Sequence, residues 1–176
     1  MARKTTLSMD LNSASIADVR RKIERYASLL DYRCSMLLDR LGEIGRQSAA
    51  SGFAGAQYDG VNDVNVHMER VSEDTIRIVA NGEAVAFIEF GTGITMGGGH
   101  PTAGMLGFGP GTYPGKGHWN NPKGWTYYGE AGSHGVWVKE GLYRTKGNPP
   151  AMAMANATEA MVQQVMTIAQ EVFDTW

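Results

Sequence analysis

Three histidines lie in one glycine-rich region of this 176-residue chain, and imidazole is the side chain best suited to bind metals and transfer protons near neutral pH. His100, His118 and His134, together with Glu130, could in principle form a zinc site. Their spacing matches no metal-binding motif, and no two of them stand at positions i and i+4 of a predicted helix. We therefore expect no metal site and no catalytic residue. An enzyme that uses one of these histidines with a metal is the least favoured of three functions.

Other patterns that carry chemistry are also weak. The glycine clusters at residues 97–101 and 107–111 lack the Gly-Lys-Ser/Thr sequence of a phosphate-binding loop, and no helix is predicted to begin there. The single cysteine, Cys34, falls on the apolar stripe of a predicted helix, which favours a core position over a nucleophile. No Gly-x-Ser-x-Gly nucleophile elbow occurs. The sequence predicts neither an enzyme nor a bound cofactor.

The glycine-rich region combines flexible backbone with large side chains. Of the 45 residues from 91 to 135, 15 are glycine, so a long loop that is flexible in the isolated chain is predicted. Its large side chains favour ordering against another protein, because tyrosine and tryptophan dominate protein interfaces. An alternative use is stacking on a sugar or a base, for which Lys116 and Lys123 give little support as a nucleic-acid groove.

The apolar stretch from Ala84 to Phe90, which ends in Gly91-Thr92-Gly93, leads into this loop. Glycine there permits a sharp exit from regular structure. Glu89 is its one charged residue. Because an unpaired buried carboxylate is costly, we expect it either on an exposed face or in contact with a basic group, including one on another subunit.

The predicted helices and strands indicate an α+β fold in a single domain, residues 1–176. A flexible arm, residues 1–14, precedes a long helix that begins near Ser15, ends at Ser51-Gly52 and carries one apolar stripe at steps of three and four. Such a helix exceeds the width of a small domain, so one end projects or the helix breaks at Gly42 or Gly45. The later elements are a hairpin of strands at 64–69 and 75–80, a short helix or strand at 84–90, a strand at 135–139, a polar connector at 142–148 and a last helix opened by Pro149-Pro150.

The charge pattern bears on partners. The net charge is −2, which indicates neither a nucleic-acid nor a membrane surface. Residues 1–50 hold nine bases against six acids, whereas residues 149–176 hold three acids and no base. The two ends are complementary in sign, within one chain or between neighbours. No stretch is long and apolar enough for a membrane span, and no signal peptide is predicted.

The sequence Phe87-Ile88-Glu89-Phe90-Gly91-Thr92-Gly93 resembles the motif of a phage tail-component family whose genes lie between head-closure and tail-tube genes. The order of elements also resembles that family: a long N-terminal helix, a strand pair, the motif, a variable loop and a proline-led last helix. The sequence Gly147-Asn148-Pro149-Pro150-Ala151 is similar to the entry of that helix. Two departures are a longer loop and Met where an aromatic residue is common.

The resemblance implies a structural virion protein without catalytic activity, which forms a homo-oligomeric, hexameric ring at the head–tail junction and completes or terminates the tail. Its partners would be further copies of itself, the head-closure or connector protein and the tail-tube or tail-terminator protein, with DNA only as passing cargo. It would assemble in the host cytoplasm and reside in the virion. The alternative is a glycan- or peptide-binding module. The predicted interface residues are Phe87, Glu89, Phe90, Gly91, Thr92, Met105, Phe108, Tyr113, Trp119, Trp125, Tyr127 and Tyr128.

Overall fold

The computed structural model describes residues 6–56, 58, 61–108 and 121–174. The elements are α1 (Ser13–Ala54), β1 (Asn65–Arg70), β2 (Ile76–Asn81), α2 (Val85–Phe90), β3 (Trp125–Tyr128), β4 (Val136–Lys139), β5 (Leu142–Thr145) and α3 (Ala153–Phe173). The predicted α+β class, with a long N-terminal and a C-terminal helix and small antiparallel sheets, is confirmed. No helix in the described ranges is apolar over enough residues to cross a lipid bilayer.

Helix α1 is continuous over 42 residues, a length of roughly 63 Å. It begins two residues before the predicted Ser15. Asn12 is its N-cap, and the Asn12 side chain accepts a 2.9 Å hydrogen bond from the Ser15 backbone N–H. The helix ends at Ala54, three residues beyond Ser51. The alternative of two helices broken at Gly42 or Gly45 is wrong.

The glycines of α1 are contact points. A Cβ on Gly42 would lie 2.5 Å from Met68 Sδ of β1, and a Cβ on Gly52 would lie 2.7 Å from Ala153 Cβ of α3. Gly45 is enclosed in the same way by Ile78 of β2 and by α3. Glycine therefore lets the hairpin and α3 approach the backbone of α1 closely.

Helix α3 packs antiparallel along the second half of α1. Its first residue, Ala153, lies against Gly52, and its last turn reaches back to Arg33, whose guanidinium donates a 3.2 Å hydrogen bond to the Phe173 carbonyl. Since α3 ends at that point, the first half of α1 extends past it. Residues 20–32 of α1 are all exposed, so the predicted projection of one helix end is confirmed.

The strands form two separate antiparallel sheets. Strands β1 and β2 make the predicted hairpin, and β5 lies between β3 and β4 in a second sheet. Three expectations were wrong here. Strand β3 lies inside the region predicted as one flexible loop, β5 occupies the predicted polar connector, and α3 begins three residues after Pro150.

The short segment at 84–90 is a helix rather than a strand, and Asp63 holds its start. The Asp63 carboxylate accepts hydrogen bonds from the Glu83 and Ala84 backbone N–H groups, at 2.6 and 3.0 Å. These bonds, first that from Ala84 and then that from Glu83, lower the pKa of the Asp63 carboxyl. Phe53, Ala84, Ile88 and Ala153 form the buried cluster beneath α2.

Candidate functional site

The buried polar side chains of the described residues gather where α2 ends and α3 begins. Glu89, Thr92, His100, Thr145 and Asn148 are each at least nine-tenths buried. We call this region the α2–α3 joint, defined as residues 88–93, His100 and 145–155. Burial of polar groups is tolerated only when hydrogen bonds replace those to water, so the partners of each group decide what the joint can do.

Glu89 serves as the N-terminal cap of α3 from another element. The residue at the N-cap position, Met152, has no side-chain oxygen and adopts a left-handed backbone conformation at φ 54°. Glu89 Oε2 accepts from the Met154 N–H at 2.9 Å, and Glu89 Oε1 accepts from the Ala155 N–H at 3.1 Å. A carboxylate at the positive end of the helix dipole satisfies two N–H groups that the helix cannot pair internally.

His100 supplies the third donor to this carboxylate. Its Nε2 lies 2.8 Å from Glu89 Oε1, and its Nδ1 lies 3.2 Å from the Thr102 backbone N–H. Because Nδ1 accepts from that N–H, we assign the ring hydrogen to Nε2, which donates to Glu89. Phe90 stacks against the His100 ring at 4.3 Å between centroids and meets Phe108 edge-on at 4.9 Å.

The two sequence stretches that carry the family resemblance are hydrogen-bonded to each other. The Thr92 N–H donates to the Asn148 carbonyl at 2.8 Å, and the Asn148 N–H donates to the Thr92 hydroxyl at 2.8 Å. Gly91 and Gly147 have φ of 75° and 115°. A Cβ on Gly91 would lie 2.7 Å from the Asn148 carbonyl oxygen, and one on Gly147 would overlap the Thr92 carbonyl. Each motif thus needs glycine because the other one lies against it.

The buried titratable groups of the joint are bound to partners within the chain. The Glu89 carboxylate holds three donors and both His100 nitrogens have partners, so neither group offers a free site to a molecule in the adjoining groove of about 390 Å³. Among the described residues, no group of three His, Cys, Asp or Glu side chains is arranged to hold a metal; His118 lies outside them. The arrangement joins α2 to α3 and orders the chain after Gly91.

The expectation that Glu89 lies on an exposed face was wrong, since it is 3% exposed. The basic group beside it is His100 of the same chain, at the start of the predicted loop. Gly91 and Thr92 are buried with it, and Phe87, Phe90 and Phe108 are half-buried. The joint thus accounts for the motif by contacts within one chain, and its predicted part in an interface stays a prediction.

The other predicted interface residues are distributed unevenly. Met105 is 88% and Tyr128 75% exposed, whereas Trp125 and Tyr127 are half-buried in β3. Tyr113 and Trp119 lie outside the described residues. Cys34, expected in the core, is exposed.

The second sheet carries an aromatic row that sequence reasoning missed in part. Tyr127 of β3 pairs with Tyr143 of β5, which pairs with Trp137 of β4, and directly opposed residues share one face. The Tyr127 and Tyr143 rings lie 5.8 Å apart, and Trp137 is 65% exposed. Tyr128 belongs to the opposite face, because its partner is Leu142. The alternation of side chains in 136–139 was the signal that could have found Trp137.

Exposed apolar side chains also recur along the two long helices. Ile16 and Ile23 on the projecting half of α1 are 48% and 52% exposed, with Leu30 at 37%. On α3, Val162 and Met166 are 66% and 67% exposed, although Ala157, Ile168 and Val172 on its other side are buried. Both helices therefore present apolar side chains to solvent along one face.

Comparison of the chain with protein-family models, with curated proteins and with solved structures gave no match.

Proposed function

We propose that the protein is a structural component of a phage virion, which assembles with copies of itself into a hexameric ring at the head–tail junction and completes or terminates the tail. Head-closure or connector proteins and tail-tube or terminator proteins are its proposed neighbours. The proposal rests on the resemblance of residues 87–93 and 147–151 and on one structural observation, the exposed apolar face of the projecting half of α1.

That face is costly for a protein that stays monomeric. Full burial of a large aliphatic side chain contributes about 1.5–3 kcal/mol, and side chains that are 37–52% exposed have part of this free energy still to gain. Ile16, Ile23 and Leu30 lie on one face, beyond the end of α3, where nothing among the described residues covers them. A ring subunit covers such a face by assembly, through an interface that repeats around a closed symmetry axis.

The test has two measurements. Native mass spectrometry and light scattering of the purified chain should give one closed oligomer, and a phage that lacks the gene should fail to join heads to tails until the chain is supplied. A chain that stays monomeric at high concentration, together with complete tailed particles made in its absence, would overturn the proposal.

A second candidate is a glycan- or peptide-binding module, favoured by the aromatic row Tyr127, Tyr143 and Trp137. A row of aromatic rings on one sheet face can stack on sugar rings or hold a peptide. Binding of the purified monomer on a glycan or peptide array, lost in Trp137→Ala and kept in Tyr128→Ala on the opposite face, would support this function. Equal loss in both variants, or no binding at all, would count against it.

A further inference from the structure

We propose that the projecting half of α1 packs on the outer face of α3 in a second copy of this chain. The inference deepens the proposed ring function and rests on it, and it names the two surfaces that meet. The first surface, the α1 stripe, is Ile16, Val19, Ile23 and Leu30. The second surface, the outer α3 face, is Val162 and Met166 with Glu159 one turn before Val162.

The spacing of the α1 stripe identifies its occupant as a helix. With Tyr26 included, apolar residues recur at steps of three and four from Ile16 to Leu30, which is the a and d pattern of a coiled-coil seam. A seam of this kind accepts the ridge of another helix. The described residues contain two helices long enough, α1 and α3.

The length of α3, and the fact that only one of its sides is covered within the chain, favour α3 as the helix that packs on the stripe. The part of α1 beyond the end of α3, residues 13–32, spans roughly 30 Å, and α3 with 21 residues spans about the same. The second half of α1 in the same chain already covers the inner side of α3. The opposite side presents Val162 and Met166 four residues apart, so it can receive the projecting half of α1 from a neighbour.

Charge also favours α3, rather than a second copy of the α1 stripe, as the partner of the stripe. Residues 13–32 hold four bases against three acids. Helix α3 holds two acids and no base: Glu171 is paired with Arg40 of the same chain, and Glu159 lies on the outer face.

Arg20 and Lys22 occupy positions that flank the seam, and no acid stands at a flanking position. Each also pairs with an acid one turn away on its own helix, Arg20 with Glu24 and Lys22 with Asp18. Two copies of the stripe would bring these basic flanks together, whereas the outer α3 face offers them the Glu159 carboxylate.

The geometry makes the contact heterologous, because one subunit contributes α1 and the next contributes α3. Each subunit then keeps one free surface of each kind, so the contact repeats and closes into a ring when the rotation allows it. Pairing of the stripe with itself would instead end at a dimer.

Cross-linking distinguishes the contact of α1 with α3 from pairing of the α1 stripe with itself. Because Cys34 is exposed, the experiment starts from Cys34→Ser. A short bismaleimide reagent is then applied to Ile23→Cys, to Met166→Cys, to both changes in one chain, and to a mixture of the two single variants. We expect a ladder of oligomers from the double variant, dimers from the mixture and neither from each single variant alone.

The control replaces Ile23→Cys by Ser28→Cys, on the opposite side of the same helix, and should give no ladder. Dimers from Ile23→Cys alone would show a self-paired stripe and overturn the inference. No cross-link in a preparation that native mass spectrometry shows to be oligomeric would also overturn it, while leaving the ring function intact. The gene-deletion experiment described above tests that function separately.

Exchanging the charges of Lys22 and Glu159 gives a second test of the contact between α1 and α3. Lys22→Glu should weaken self-association up to about fivefold, which corresponds to roughly 1 kcal/mol for an exposed ion pair. Adding Glu159→Lys should restore much of it, since the exchanged charges attract again. Both variants should fold as the parent does, because both side chains lie on exposed helix faces. Additive weakening in the double variant would contradict the proposed pairing of surfaces.

Discussion

The α2–α3 joint buries polar side chains and the projecting half of α1 exposes apolar ones, which is the reverse of the usual distribution. The joint buries a carboxylate, an imidazole, an amide and two hydroxyl groups, while the projecting helix exposes isoleucine and leucine. In the joint each buried group has hydrogen-bond partners inside the chain, so nothing further is required of another molecule. On α1 the described residues leave the apolar face in water.

The difference shows that the more distinctive sequence need not be the more exposed surface. The motif around Glu89 is distinctive because it must cap a helix, turn with positive φ and fit against Asn148. The α1 stripe is ordinary in composition, and only its lack of cover makes it informative. Substitutions in the joint should therefore change stability, and substitutions on the stripe should change association.

The largest loss of stability is expected for Gly147→Ala. The new Cβ meets the Thr92 carbonyl and the residue keeps a positive φ, so the free energy of unfolding should fall by at least about 3 kcal/mol. Gly141→Ala, which has positive φ but open space, should lose about 1–2 kcal/mol. Gly104→Ala, with neither constraint, should be neutral or stabilising by up to roughly 1 kcal/mol. Urea unfolding measures all three, and equal effects would show that Gly147 is not in close contact.

The second largest loss is expected for Glu89→Ala. Two N–H groups of α3 and the His100 ring lose their acceptor, which should cost roughly 2–4 kcal/mol. Glu89→Gln should lie between Ala and the parent, because its amide NH2 group faces donors. Glu140→Ala, at an exposed turn, is the control and should change stability by less than about 0.5 kcal/mol. Preserved stability in Glu89→Ala would contradict the capping role.

A smaller effect with a defined pH dependence is expected for Asp63→Asn. Since hydrogen bonds from the Ala84 and Glu83 N–H groups lower the pKa of this carboxyl, its contribution is fully present above the unfolded pKa and is lost as pH falls through the folded pKa. Melting temperatures of parent and variant, measured from pH 6 to pH 2, should therefore converge toward acid. A difference that stays constant over this range would refute the assignment.

The smallest effect on stability is expected for Ile23→Asp. The side chain is half exposed in the isolated chain, so the free energy of unfolding of the monomer should change by no more than about 0.5 kcal/mol. Self-association, measured by analytical ultracentrifugation, should weaken at least tenfold, while Ser28→Asp on the opposite side should leave it unchanged. A strong loss of monomer stability would show that Ile23 packs within its own chain.

Local sequence patterns predicted the elements that repeat a pattern over several turns or a strand pair. The three- and four-residue spacing gave α1, and alternation at 64–69 and 75–80 gave the hairpin that pairs Asn65 with Asn81. Strands β3 and β5 were missed. Each has four residues, and they pair with each other across 14 to 20 positions, although β5 also pairs with the nearby β4. Short segments take their conformation from tertiary pairing more than from their own residues.

In the candidate site, too, sequence identified single residues but not the long-range contacts between them. Sequence identified Glu89 and Gly91 as unusual, because a turn glycine and an isolated carboxylate in apolar surroundings each need an explanation, and it marked Gly147 only through the resemblance. It could not join them, since His100 lies 11 residues and Ala155 66 residues from Glu89 along the chain.

The sequence by itself determined that the protein is an α+β chain with a long amphipathic N-terminal helix, because periodicity is local and follows from backbone geometry. Only the tertiary structure decided which part of that helix is covered. Helix α3 ends at Arg33. The buried positions of α1, which are Gly42, Gly45, Ala49 and Phe53, all follow that residue, whereas residues 20–32 before it are exposed. Burial depends on which segments meet in space, and periodicity within one helix carries no information about where its partner stops.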